Sequence, residues 1–383
     1  MENTRIKNIK QKALDFVEKC KSEDYSYRLC LNSEISPYAT CFAVFIRNLL
    51  KDKTLKDDSS KIEKNIINSI KHFHQKKDIK EKPFRQLLCF SLSALSILDE
   101  SKPALLNKYV SEQLTLYSKD KSLYELGCLK GIPGSGNQAM FYAIFLIHAK
   151  TYLGTNTSQE IKNWIQMHIK HSNSFGFWGN SNNLKHIHFQ NGYHQYEIFD
   201  YLGIKNYLLF KSKEDLINLS DKYGHFAPII GGGGCYDYDA IFILTSNNIK
   251  RDKELEGFLY KIKNNLILMQ NFDGGFPENK LIKSDLKKFY NGEIFHLLNV
   301  LFKPEILIER IRAFISVHRP RNKFIHTHWT NYSRKWDESD LWDTWFRLLA
   351  IARIEIFLDN KKFKEWNMIN YPGIGFHHLL KEN

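Results

Sequence analysis

Leu266-Ile267-Leu268-Met269-Gln270-Asn271-Phe272-Asp273-Gly274-Gly275-Phe276 joins an apolar helix end to a polar turn, two glycines and an aromatic ring. Apolar residues in the segment leading into it, 253–269, recur at helical spacing among charged ones. That pattern predicts an amphipathic outer helix ending near Gln270 and handing the chain to a tight, glycine-built turn. The unit recurs in degraded form along the chain. The sequence therefore reads as one helix–turn–helix unit repeated round a ring.

Helical periodicity dominates, and strand-like alternation between hairpin turns is hard to find. Two kinds of helix alternate. Segments 38–50, 84–98, 138–152, 236–246 and 340–358 are almost wholly apolar with small residues. Segments 6–20, 61–74, 105–117, 158–171 and 253–269 are amphipathic and charged. A helix apolar on all sides must be buried on all sides, so the first kind predicts an inner ring and the second an outer one. Residues 189–209 and 285–302 fit as further inner helices with more polar content. Ser36 before Pro37, and Ser339-Asp340 before Leu341, read as helix caps. Inner helices begin roughly every 45–55 residues early in the chain, as expected of one hairpin per repeat. No Pro/Ser/Gly linker divides the 383 residues. We expect one domain, with a repeat core over 36–360 and a tail over 361–383.

Composition sets further bounds. A 43% hydrophobic chain with 27 Phe, 19 Tyr and 7 Trp has ample material for a packed interior and for some aromatic lining of a cavity. The formal net charge of +13 fits a Lys-rich solvated exterior, or attraction to an anionic surface. No basic block with interleaved aromatics marks a nucleic-acid stripe, so no nucleic-acid partner is expected. Peripheral membrane contact stays open, and Arg319, Arg321 and Lys323 form a small basic loop. Six scattered cysteines without a C-x-x-C pair suit a reduced, cytoplasmic setting. Nothing at the N-terminus resembles a secretion signal, and no apolar run approaches the ~20 residues of a membrane span.

Lys261 with Leu266–Gln270 and Asp273–Phe276 resembles the Gln–Trp repeat of the squalene cyclase and protein prenyltransferase superfamily, with Phe276 in place of the usual Trp. Ile161–Ile165 with Phe175–Gly179 looks like a second copy, lacking the Gln. Leu341–Ala352 is similar to the inner helix that follows such a repeat. The resemblance spans residues 38–358 as an architecture. It implies an all-α, (α/α)6-type toroid with a central cavity. Fold does not fix chemistry.

Three constellations carry chemistry. The first runs from Gly231 to Asp239: four glycines, Cys235, then Asp237 and Asp239 at the start of an inner helix. Two residues are about 200° apart on a helix, so both aspartates share a face only in a frayed first turn. One reading is that an aspartate caps the helix. The other comes from the resemblance: Asp237-Tyr238-Asp239 looks like the acid motif of class II terpene cyclases. It implies Asp239 as the proton donor to an alkene or epoxide and Asp237 as its tuner. Ala240 stands where the family has a further Asp. Cys235, Asp237 and His296 are also of the types that hold zinc in protein prenyltransferases. The expectation is no cofactor, with zinc or magnesium the lesser alternative.

The second constellation is His186, His188, Asn191, Tyr193, His194, Tyr196 and Glu197. His194 and Tyr196 suit proton abstraction and donation beside a substrate carboxylate, as a uronic-acid lyase or glycoside hydrolase on a helical barrel requires. A polar loop bonding its own backbone is the alternative. The third gathers His326, His328, Trp329, Trp336, Asp337, Asp340, Trp342, Asp343 and Trp345. Its tryptophans either pack the core or form a wall for sugar rings or isoprenoid chains. Asp239, Asp237, His194 and Tyr196 are thus the expected catalytic residues. Tyr193, Glu197, His328, Trp329, Trp342 and Trp345 are the expected substrate contacts, for a small-molecule or oligosaccharide substrate. A non-catalytic binding scaffold is the remaining reading.

Overall fold

The computed structural model describes residues 2–76, 79–119, 126–205, 211–284 and 286–382. The chain is mostly helical. In order come α1 (Glu2–Cys20), α2 (Pro37–Leu49), α3 (Leu55–Lys76), α4 (Lys82–Leu98), α5 (Asn107–Lys119), α6 (Leu126–Leu129), α7 (Ser135–Tyr152), α8 (Ser158–Lys170) and α9 (His186–Leu202). There follow α10 (Lys213–Leu219), α11 (Gly234–Leu244), α12 (Lys253–Leu268), α13 (Leu281–Ser284), α14 (Leu286–Leu298), α15 (Pro304–His318), α16 (Leu341–Leu358) and α17 (Leu379–Glu382). One two-residue ladder pairs β1 (Phe276–Pro277) antiparallel with β2 (Ser339–Asp340), Phe276 opposite Asp340.

The two kinds of helix read from the sequence are realised. Helices α2, α4, α7, α9, α11 and α16 are buried along most of their lengths. Each packs against the next, and α16 packs against both α11 and α2. The amphipathic helices lie outside them: α3 covers α2 and α4, α5 covers α4 and α7, α8 covers α7, and α12 covers α16. Caps fix where the buried helices start. Ser36 accepts from the Ala39 amide, with Pro37 in the first turn, and the carboxylate of Asp340 accepts from Asp343 at 2.7 Å. Ser339 is not the cap; its hydroxyl donates to Asp273 at 2.8 Å.

The starts of neighbouring buried helices meet. Tyr38 donates its hydroxyl to the Pro83 carbonyl at 2.6 Å, Lys82 donates to Asn137 at 3.2 Å, and the Gly136 amide donates to Asn191 at 2.7 Å. The Gln270 turn ties the outside in. Its amide donates to the carbonyls of Gly274 at 2.8 Å and Ile9 at 3.0 Å, joining the end of α12 to α1. Phe276 is fully buried and its amide donates to Thr344 on α16. Both residues are engaged in holding the turn to its neighbours.

The segment 189–209 supplies α9 as an inner helix; its last residues, 206–209, lie outside the described residues. Segment 285–302 does not behave as expected. Its helix α14 packs on α13 and α15 and leaves Ile294, Phe295 and Leu298 exposed. With α16 already packed against both α11 and α2, no inner seat remains for it.

Candidate functional site

The run Gly231–Gly234 turns the chain into α11. Gly231 and Gly232 adopt φ of 87° and 76°, the left-handed region that side chains rarely occupy. A Cβ on Gly232 would fall 2.5 Å from Oδ2 of Asp237, and one on Gly234 would fall 2.1 Å from Oδ1 of Asp343. The turn is therefore pressed onto carboxylates. Asp237 does not cap α11. It accepts the Phe226 amide at 2.7 Å, Nδ1 of His225 at 2.9 Å and Nη1 of Arg347. Burial holds His225 down to about 4, so its ring is neutral and donates one proton to this carboxylate. Asp221 accepts the Gly231 amide at 2.7 Å, and Asn279 donates to the carbonyls of Ile230 and Gly232. Asp237 thus anchors a loop.

Asp239, one residue beyond Tyr238, points elsewhere. It is fully buried, and neither carboxyl oxygen has a hydrogen-bond partner. Burial first, and the neighbouring Glu197 second, push its pKa well above the ordinary carboxylate range. The Tyr193 hydroxyl is the one neighbour that favours its ionised form, although it is not aligned as a hydrogen bond. Glu197 accepts the Tyr238 hydroxyl at 2.6 Å on Oε1, while Oε2 has no partner. Burial pushes Glu197 up to about 8, against the pull of Arg353. Tyr193 and Glu197 are one helical turn apart on α9, and α9 packs against α11. Asp239 and Glu197 thus lie near one another between these helices, where the rings of Tyr193, Tyr238 and Phe242 touch each other.

Other residues of the α9 constellation separate from this pair. Asn191 accepts the Gly136 amide, and Tyr196 donates its hydroxyl to the Gly176 carbonyl. His186 contacts Glu309 at 2.8 Å. His194 is buried with an unpartnered Nδ1, and burial, then Lys82, hold it well below its usual value. It is a neutral imidazole.

The tryptophan constellation forms a second wall. Residues 326–336 lie over the starts of α2, α4 and α16. Ser36 donates to the Trp329 carbonyl at 2.5 Å, and His328 and Trp329 both meet Oε1 of Gln86, at 2.7 and 3.3 Å. Trp329 sits 4.5 Å from Trp342 between ring centroids, and Phe42 and Phe90 complete the cluster with Trp345. Trp342 and Trp345 are buried packing residues. Below them, the space lined by Phe45, Phe90, Met140, Trp345 and Ile374 amounts to about 10 Å³, room for one water at most.

A cluster not singled out from the sequence lies beside the glycine turn. Arg334 pairs with Asp340, and with Glu278 and Asp343 at 3.2 Å each. One guanidinium faces three carboxyls. Burial first, and neighbouring carboxylates against the pull of Arg334, push Glu278 and Asp343 above the ordinary carboxylate range. Glu278, Cys235 and Tyr236 keep some accessible surface in a recess beside Gly233. Burial and the carboxylates Asp239, Glu278 and Asp343 raise the Cys235 thiol, which makes it a poor nucleophile. Asp340 and Asp343 were visible in the tryptophan stretch. Glu278 and Arg334, 56 residues apart, carried no local signal.

The zinc set is not assembled. Asp237 is committed to His225 and Arg347. His296 lies on α14, where burial, then Arg310, hold it down to about 2. Among the described residues no three His, Cys, Asp or Glu side chains converge as a metal-holding group. No helix among them is long and apolar enough to cross a membrane. No protein-family model matches the chain, and no curated protein matches its sequence.

Proposed function

We propose that the chain is an α/α toroid, with α2, α4, α7, α9, α11 and α16 as the inner ring, and that it is an enzyme that starts its reaction by donating a proton from Asp239 to an alkene or epoxide of an apolar, isoprenoid-like substrate. The observation that carries this is the Asp239 carboxyl: fully buried, its pKa pushed well above the ordinary carboxylate range, and neither oxygen in an aligned hydrogen bond. A structural aspartate buried at this depth is ordinarily tied to donors, as Asp237 is. Keeping a carboxylic acid neutral near pH 7 is what proton donation requires.

The step balances simply. The acid O–H breaks, a C–H bond forms at one alkene carbon, and the positive charge passes to the other. The faces of Tyr193, Tyr238 and Phe242 stabilise that cation. Loss of a proton from the product cation to the Asp239 carboxylate restores the acid, so the net reaction is an isomerisation or cyclisation. Tyr196 spends its hydroxyl on a backbone carbonyl, which favours this reading over proton abstraction from a uronic acid by His194 and Tyr196.

Asp239→Asn is the test. Against a panel of polyprenes and epoxide-bearing isoprenoids, turnover should fall by ~10²–10⁴ with ligand affinity retained. Infrared difference spectra of the wild type should show a neutral carboxylic acid at pH 7 that the variant lacks. Full turnover in Asp239→Asn, with loss in His194→Gln on acidic oligosaccharides, would replace the proposal with the lyase reading.

A further inference from the structure

The hairpin of α14 and α15 departs from the rest of the surface. Large apolar side chains elsewhere are exposed singly or in pairs such as Leu268 and Phe272, which is ordinary. Here Ile294, Phe295 and Leu298 follow one another on α14, with exposures of 56%, 62% and 50%, and Leu301 and Phe302, at 51% and 99%, extend the patch past its end. On α15, Ile308, Ile311 and Ile315 repeat the pattern at i, i+3 and i+7. The inward faces are occupied. Phe314 and Ala313 pack onto the small cluster of Ala227, Ile229, Ile230 and Ile282. Arg310 donates to the carbonyls of His296 and Leu219. The exposed stripe is therefore the outer face of a seated hairpin.

Its exposed charged neighbours are cationic, while Glu305 and Glu309 lie half-buried beside Ile308 and Arg312. Arg312 and Arg319 are exposed on or just past α15, Arg321 follows, and Lys287 opens α14. The acidic side chains of α15 are engaged elsewhere: Glu305 accepts from Ser181, and Glu309 accepts from His186 and the Ile187 amide. An apolar stripe with a cationic rim is the composition of a helix lying in a membrane interface, with its apolar face among the acyl chains and its cations among the headgroups.

We propose that the α14–α15 hairpin docks the protein onto an anionic lipid surface. A second copy of this chain is the weaker occupant, because a two-fold contact would bring two patches with the same exposed arginines, Arg312, Arg319 and Arg321, together. The net charge of +13 adds attraction in the same direction. The proposal stands apart from Asp239 and its chemistry, so either can fail alone.

Co-sedimentation of the full chain with phosphatidylcholine–phosphatidylglycerol vesicles, and with pure phosphatidylcholine vesicles, tests it. The mixed vesicles should bind the protein, the neutral ones much less, and salt should weaken binding through screening. Phe302→Ser, at a site exposed enough to spare the fold, should weaken binding by about tenfold or more, from the transfer energy of one phenylalanine. Arg319→Ala should weaken it by about fivefold, from about 1 kcal/mol per cation near the surface. Absence of binding overturns the proposal. So does binding that Phe302→Ser leaves unchanged in a variant with the wild-type melting temperature. A concentration-dependent dimer in sedimentation velocity, abolished by Phe302→Ser, would assign the face to a second copy instead.

Discussion

Asp237 and Asp239 stand one tyrosine apart at the start of α11, and they belong to opposite regions of the molecule. Around Asp237 both carboxylate oxygens are engaged: His225, the Phe226 amide and Arg347 converge on them beneath the glycine turn. Around Asp239 there is another carboxyl, aromatic rings and no donor in line. The first region stores charge in a paired form and fixes a loop. The second holds a carboxyl that burial pushes well above the ordinary carboxylate range. Two positions on a helix differ by about 200°, so one turn of α11 faces both regions. Burial alone therefore says little about role. What separates an anchor from an acid is whether donors meet it.

The sharpest way to break this contrast is to remove the anchor. Asp237→Leu leaves Arg347 buried and unpaired, and unfolding in urea should show a loss of about 3–5 kcal/mol. A loss below 1 kcal/mol would mean that the Arg347 pair does not hold the loop. Next comes the pH dependence of stability. Glu197 has a folded pKa of about 8 against an ordinary 4.5. Between those values the folded chain keeps a proton that the unfolded chain has lost. Stability must therefore fall as pH rises through the window, at about 1.4 kcal/mol per pH unit from this group.

Buried neutral histidines act in the opposite sense. His148, His168, His188 and His225 sit near 4 instead of 6.5, so stability falls as pH drops below 6.5. Between pH 6.5 and 8 the carboxyl contribution meets no histidine opposition. Glu197→Gln should flatten the slope there, and an unchanged slope would place the proton elsewhere.

Smaller effects sharpen the comparison. Gln270→Ala removes two hydrogen bonds at the α12 turn, far from both carboxyls. It should cost about 1–3 kcal/mol by thermal unfolding and leave the infrared band of the neutral acid in place. Asp239→Asn should not destabilise. The folded state holds this carboxyl's pKa well above its ordinary value and the unfolded state does not, so the uncharged amide should raise stability at pH 7, by an amount that shrinks as pH falls toward 4. A loss as large as that of Asp237→Leu would show that Asp239 is a second anchor.

Several features were legible before any coordinates. Apolar-all-round and amphipathic segments alternate, and that alternation placed α2, α4, α7, α11 and α16 inside and α1, α3, α5, α8 and α12 outside. Gln270 and Phe276 announced a structural turn. The geometric objection to Asp237 and Asp239 sharing a face proved sound. Failures came where a residue's role depends on distant chain. Tyr196 looked as free as His194 until Gly176 took its hydroxyl. The tryptophans at 342 and 345 read equally as core packing or as a ligand wall, and their burial among aromatic neighbours was set by distant chain.

Periodicity, caps and glycine runs act within a few residues, so the sequence by itself determined the helices, their kinds and the turns between them. A buried carboxyl takes its protonation and its task from groups that the chain brings back over long separations. Arg347 reaches Asp237 across 110 residues, Tyr238 reaches Glu197 across 41, and Arg334 reaches Glu278 across 56. Exposure of α14 was likewise decided by neighbours, because its apolar face looks the same in sequence whether another helix covers it or not. Only the tertiary structure settled these, since electrostatics and burial depend on what surrounds a group in space, and local sequence does not contain that surrounding.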